Sequence, residues 1–295
     1  MALVGDALAQ KVETAMFRTN KRVFALVRKL ATYLAISAIC FIALFPTIWI
    51  TVTSFKTYKE TFTIPPTWIF TPTLENYEDI FFNRHFLTYF QNSVIVALLA
   101  TLLSLAVSVP AAYALARFRF RGSNSLGFWI LSIRMFPPIV AVIPLFIMFQ
   151  ILGLYGSLST LVIAYLMMNI PLSVWMLRGF FGDVPVEIEE SAMVDGCSRL
   201  RAFLSTVIPL SSYGIAATAI LCFIFSWNEF IFALLFTVME TRTLPVSVTQ
   251  FIQLRGINWG PMCAASVCIS IPVIVFAAVV QRYIIRGLTM GAVKG

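Results

Sequence analysis

The residues able to do chemistry in this chain are few and fall in separate places. Acids gather in one stretch, Asp183-Val-Pro-Val-Glu187-Ile-Glu189-Glu190-Ser191-Ala192-Met-Val-Asp195-Gly196. Arg134 and Glu229 stand inside long apolar runs. His85 is the single histidine, and the cysteines (Cys40, Cys197, Cys222, Cys263, Cys268) form no CxxC pair. This inventory points away from a metal centre, a disulfide framework, a Ser/His/Asp triad and paired acid–base carboxylates. Without a G-x-x-x-x-G-K-[S/T] loop, ATP hydrolysis is not expected of this chain either. Charges inside apolar runs remain to be explained. Each costs about 2.5–3.5 kcal/mol at a membrane helix centre on insertion scales, so each marks a site by default.

The acidic stretch reads as a pair of short helices. Pro185 fits a first helical turn, and Glu187, Glu189 and Glu190 suit its positive end. Gly196 fits the left-handed residue that closes a helix, Ser198 caps a second helix, and Pro209 is expected to stop it. Ile188, Ala192, Met193, Leu200, Phe203 and Leu204 put apolar surface beside the acids, a pattern that meets a partner protein more often than water. A pair tethered between membrane spans is badly placed to enter a DNA groove, so nucleic acid is not an expected partner.

The elements that must position these groups are membrane helices. Hydrophobic residues make up 60% of the 295 and charged residues 12%, with a mean hydropathy of +0.90; soluble domains carry about 25% charged residues. Six apolar runs reach spanning length: 30–53, 93–116, 126–152, 158–181, 212–238 and 262–285. Residues 1–29 form a polar N-terminal segment, and the first run reads as a retained signal-anchor. With the N-terminus inside, fifteen Lys and Arg residues flank one side and five the other. Both termini are therefore expected in the cytoplasm, with the 183–209 loop. External loops fall near 54–92, 153–157 and 239–261, with Trp49, Trp68 and Trp259 at the interface. Pro110, Pro137, Pro138, Pro144, Pro171 and Pro272 interrupt the runs, as suits a bundle enclosing a pathway. Arg134 and Glu229, with Asn169 and Asn228 as polar neighbours, are expected to face the bundle interior or a partner, either as pathway residues or as a polar lock.

Glu190-Ser191-Ala192, Asp195-Gly196 and Thr206-Val-Ile208-Pro209 resemble the EAA motif of ATP-binding-cassette (ABC) importer permeases. Ser191, Thr206 and Ile208 depart from its usual residues while keeping small or compact side chains. Asn92-Ser93, Ala112-Tyr-Ala-Leu-Ala-Arg117, Trp227-Asn-Glu-Phe230 and Gly287 to Gly295 are similar to MalG-type permease subunits of carbohydrate importers. The resemblance implies an all-α integral membrane fold of the type I permease class, with six transmembrane helices in a 30–295 domain and a coupling loop at 183–209. It also implies that Glu187, Glu190, Ser191, Ala192, Asp195, Gly196, Phe203 and Pro209 couple to an ATPase subunit. The resemblance implies further that the tail at Lys294 and Gly295 reaches the ATPases, and that Gln250, Gln253, Arg255 and Asn258 lie in a loop that enters a binding protein. The implied partners are a second, MalF-like permease subunit, two ATPase subunits holding ATP and Mg, an extracytoplasmic solute-binding protein, and a sugar or polyol, in a bacterial inner membrane. A secondary, ion-coupled transporter or channel is the alternative. It has only one membrane glutamate to work with. A non-transporting receptor or scaffold leaves the proline-broken spans unexplained.

Overall fold

The computed structural model describes residues 2–118, 120–253 and 256–291, with side chains from residue 26 onward except at 280 and beyond 281. Arg255, Lys294 and Gly295 lie outside the described residues. In chain order the helices begin with α1 Ala2–Ser54, α2 Tyr58–Thr61, α3 Glu75–Asn83, α4 Phe86–Arg117, α5 Ser123–Ile133, α6 Pro138–Ile151 and α7 Leu158–Asp183. There follow α8 Val186–Val194, α9 Arg199–Ala202, a π-helical turn Phe203–Val207, α10 Ile208–Leu210, α11 Ser212–Trp227 and α12 Ile231–Phe236. Last come α13 Leu244–Ser247, a two-stranded hairpin of β1 Ile252–Gln253 and β2 Gly256–Ile257, and α14 Trp259–Gly291.

The chain divides into two units, residues 1–53 and 54–295. The first is the body of α1, whose apolar stretch begins at Leu26 and keeps its large side chains exposed as far as Ile48, as suits a helix solvated by lipid. In the second unit, α4, α7, α11 and α14 form the bundle. Small polar side chains let these helices approach closely: Ser104, Ser108, Ser173 and Thr218 are fully buried. Ser173 Oγ meets Cys222 Sγ at 3.0 Å, and Asn169 Nδ2 donates to Ser226 Oγ at 2.8 Å. Large side chains fill the space between. Trp227 stacks on Phe223 and donates its indole N–H to the Ile269 carbonyl at 3.1 Å.

Among the described residues, four helices are long and apolar enough to cross a membrane: the Leu26–Ser54 part of α1, α4, α7 and Trp259–Val279 of α14. They correspond to the expected first, second, fourth and sixth spans. The expected third span is not one helix. It breaks after Ile133, and α5 and α6 meet at 87°. The physical cause is Pro137-Pro138: neither residue donates a backbone hydrogen bond, so α5 ends in tight bonds from Arg134, Met135 and Phe136 to the carbonyls three residues back. The expected fifth span is also divided, α11 ending at Trp227 and α12 beginning at Ile231.

At the end of the bundle away from the 183–209 loop, polar side chains stitch the connections. Asn92 Nδ2 donates to the Glu240 and Arg242 carbonyls at 2.9 and 3.0 Å, and Leu244 N–H donates to Ser93 Oγ at 2.8 Å. Asn76 Nδ2 donates to the Ser54 and Lys56 carbonyls at 2.9 and 2.8 Å.

Candidate functional site: a helix pair at one end of the bundle

The 183–209 loop folds as two helices around a glycine turn. Gly196 has φ +92°. Its N–H bonds to the Met193 carbonyl and the Cys197 N–H to the Ala192 carbonyl, the pattern that closes a helix on a left-handed residue. Ser198 Oγ then accepts from Arg201 N–H and caps α9. Pro209 departs from its expected role. The helical path continues through the π turn and α10 to Ser211, where it bends by 74° into α11. Pro209 has no N–H for the carbonyl four residues back, and the wider π turn, in which Ile208 N–H reaches Phe203 O, accommodates the gap.

The faces of α8 follow helical period. Glu189 is buried and Ala192 and Met193 half-buried, at spacings of three and four residues. Glu187, Ile188, Glu190, Ser191, Val194, Asp195 and Gly196 are exposed. Val194 is 86% exposed and, at helical spacing from Glu187 and Glu190, shares their outward face of α8, while Leu200 of α9 is 67% exposed. Phe203 is not exposed. Its ring is buried 4.1 Å from that of Tyr113 and packs near Phe181, fastening the second loop helix to the bundle.

Glu189, whose expected role was only to suit the helix N-terminus, enters a buried cluster with Arg117 and Tyr113. Arg117 Nε lies 3.0 Å from Glu189 Oε2, both side chains being at most 5% exposed. Tyr113 donates its hydroxyl to Glu189 Oε1. Arg117 Nη2 donates to the Val184 carbonyl at 2.7 Å. The Nε–Oε2 contact is an ion pair whose angle falls short of a hydrogen bond, so the two atoms compensate each other in charge alone. Two sequence signals foreshadow the cluster: Tyr113 and Arg117 sit one turn apart, and Glu189 shares a face with Ala192 and Met193.

Arg134 and Glu229 do not pair. The Arg134 guanidinium lies over the Phe225 ring at 4.7 Å and Nη1 donates to the Met168 carbonyl at 3.3 Å. It thus sits beside the Asn169–Ser226 contact. Glu229 turns to its own chain and accepts from the backbone N–H groups of Phe232 and Ala233, capping α12. Asn228 is exposed and bonds back to the Ile224 carbonyl. Gln250 is half-buried with Nε2 unpartnered, Gln253 is exposed on the hairpin, and Asn258 N–H donates to Phe251 O. Among the described residues no His, Cys, Asp and Glu cluster could hold a metal.

A bundle of apolar helices with broken spans and an exposed helix pair at one end is the architecture of a transport permease. Residues 105–290 match the family described as binding-protein-dependent transport system inner membrane component, and the chain belongs to that family. It is 40% identical over 258 residues to the trehalose/maltose transport system permease protein MalG of Thermococcus litoralis, covering 86% of this chain and 92% of the relative. It is 37% identical over 262 residues to the diacetylchitobiose uptake system permease protein DasC of Streptomyces coelicolor, covering 88% and 95%. The fold superposes on a chain of a bacterial ABC transporter that imports the acidic polysaccharide alginate, with a TM-score of 0.72 and 28% identity over 89% of this chain and 96% of that one. The chain is a multi-pass membrane permease subunit of an ABC importer, and it does no covalent chemistry itself.

Proposed function

We propose that this chain and a second, unlike permease subunit of the MalF type enclose a pathway for a sugar: a disaccharide, oligosaccharide, glycoside or polyol. An extracytoplasmic binding protein delivers the solute. Two ATPase subunits bind ATP and Mg and dock on the outward face of α8 and α9. In this reading both termini and the 183–209 loop are cytoplasmic, the 239–261 segment meets the binding protein, the C-terminal tail at Lys294 and Gly295 reaches the ATPases, and 30–295 is one permease domain.

The observation that carries the reading is the exposed side of the helix pair, where Glu187 and Glu190 stand beside exposed Ile188 and Val194 on α8 and Leu200 is exposed on α9. In water that apolar area calls for a partner, and the Gly196 turn holds its two helices together. The relatives named for trehalose/maltose and diacetylchitobiose support a sugar as the solute. Closure of the ATPases on ATP favours one arrangement of the permease pair, so nucleotide state biases the inward/outward equilibrium by differential affinity.

The test is ATP hydrolysis by the co-expressed complex in lipid, with and without binding protein loaded with maltose or trehalose. Glu190→Ala and Gly196→Asp are expected to lose the stimulation or the ATPase subunits. Solute movement by this chain alone, down an ion gradient and with no ATPase bound, would replace the reading by that of a secondary transporter.

A further inference from the structure

The Arg117–Glu189–Tyr113 cluster has no part in the docking surface, because it faces away from it. Its location is instructive. Glu189 is the buried acid of α8, Arg117 is the last residue of α4, and Tyr113 is one turn earlier on α4. The same Arg117 holds the Val184 carbonyl, just before α8. The same Tyr113 ring packs on Phe203, just after α9. Both loop helices and the linker that precedes them therefore converge on one turn of α4.

Stability alone is a poor reason for such a cluster. A buried ion pair replaced by apolar residues of similar volume often leaves a protein as stable as before. Here the guanidinium and carboxylate do not even form the aligned, bidentate contact that gives such pairs their strength. What a buried pair does supply is direction. Apolar contacts slide with little penalty, whereas separating these charges leaves each one uncompensated. The far end of α4 is tied as well. Asn92 holds the Glu240 and Arg242 carbonyls, and Ser93 holds the Leu244 N–H. One 32-residue helix, which runs on through Pro110 and is not interrupted there as expected, thus joins the loop helices to the 239–251 segment at the opposite end of the bundle.

We propose that Arg117, Glu189 and Tyr113 form the joint through which displacement of the loop helices moves α4, and through α4 the 239–251 segment. They are positioning residues for transport coupling, acting through α4 and touching no solute. The inference rests on the docking reading above, since the displacement originates in the ATPases.

The experiment uses the intact complex of this chain, the second permease subunit and the ATPases in lipid. Amide hydrogen exchange of residues 239–251 is followed with and without a non-hydrolysable ATP analogue, alongside the amount of ATPase retained. In wild type the nucleotide is expected to change exchange there at least threefold. In Glu189→Ala, Arg117→Ala and the double variant the change is expected to disappear while the ATPases stay bound. The double variant should be no worse than either single, as befits residues acting as a unit. Tyr113→Phe, which deletes one hydroxyl, is expected to fall between. The joint is overturned if the alanine variants keep the wild-type response, if they shed the ATPases, or if wild type binds ATPase and nucleotide with no response at 239–251. Should the alanine variants fail to form a folded permease pair, Tyr113→Phe decides, and an unchanged response overturns the joint. A wild-type complex that holds no ATPase at all sinks the docking reading instead.

Discussion

The carboxylate of Glu229 accepts a hydrogen bond from the backbone N–H of Phe232 at 2.9 Å, and this contact, with the one from Ala233 at 3.1 Å, is what starts α12. A membrane glutamate invites a role in ion coupling. This one is spent on the positive end of a helix that resumes after the break at 228–230. A glutamine keeps an acceptor oxygen for one of the two N–H groups, whereas an alanine keeps none. Loss of a cap costs about 0.5–2 kcal/mol. Glu229→Gln is therefore expected to retain most uptake in proteoliposomes, and Glu229→Ala to lower both the yield of folded complex and its melting temperature. Loss of all uptake in a well-folded Glu229→Gln complex would return the residue to the pathway.

Gly196 separates strain from contact. Its φ of +92° is one that side chains rarely adopt, yet a β-carbon built there meets nothing within 4 Å. Gly196→Ala thus adds backbone strain of about 1–2 kcal/mol at the turn without a clash. The membrane bundle should melt as in wild type, while retention of ATPase subunits during purification falls severalfold. Asparagine, which tolerates this region better, is expected to recover part of it. Equal retention in all three proteins would mean that the turn's shape is not what a partner reads.

The helix pair was legible from sequence because its signals are local. Gly196 and Ser198 act through bonds to residues at most five positions away, and composition alone set the spans of α4 and α7. The misreadings share a different cause. Pro209 stops a helix in isolation, but here a π turn absorbs it, and no residue pattern announced that turn. The third span reads as one apolar run because apolarity is blind to the 87° bend, although Pro137-Pro138 was visible inside it. Glu189 and Arg117 are 72 positions apart in the chain, and only the packing of α8 against the end of α4 shows that they meet. Phe203 counted as exposed apolar surface for the same reason, its partner Tyr113 lying on another helix.

Gly260 and Asn76 give a test at the opposite end. A β-carbon at Gly260 would stand 2.5 Å from Asn76 Oδ1, and Asn76 is buried with its amide already committed to two carbonyls. The short side chain has no flexible far end to yield. Gly260→Ala is expected to destabilise the complex by about 1–3 kcal/mol, as overpacking does. A fall in melting temperature with unchanged ATPase retention is the expected pair of readings; no fall would mean that α14 shifts freely against α3.

Val194 and Leu200 offer the most direct probe of the proposed docking face, because their exposure uncouples folding from binding. At 86% and 67% exposed they contribute little to the fold of the isolated loop, so a polar replacement leaves the bundle's stability within about 0.5 kcal/mol. If a partner covers them, a carboxylate there must be desolvated without a counter-charge prepared for it, which costs far more than the lost apolar contact. Leu200→Asp is expected to reduce ATPase binding by at least tenfold in a titration of the purified permease pair. Val194→Asp is expected to do the same, and Leu200→Met to do neither. The discriminating comparison is with Leu102, an apolar residue 61% exposed in the middle of α4. Leu102→Met should be silent in both assays, and Leu102→Asp should impair membrane assembly instead of ATPase binding, since that side chain faces lipid or the second permease subunit. Aspartate at Leu200 with undiminished ATPase affinity would remove this surface from the interface and leave Glu187 and Glu190 without a docking role.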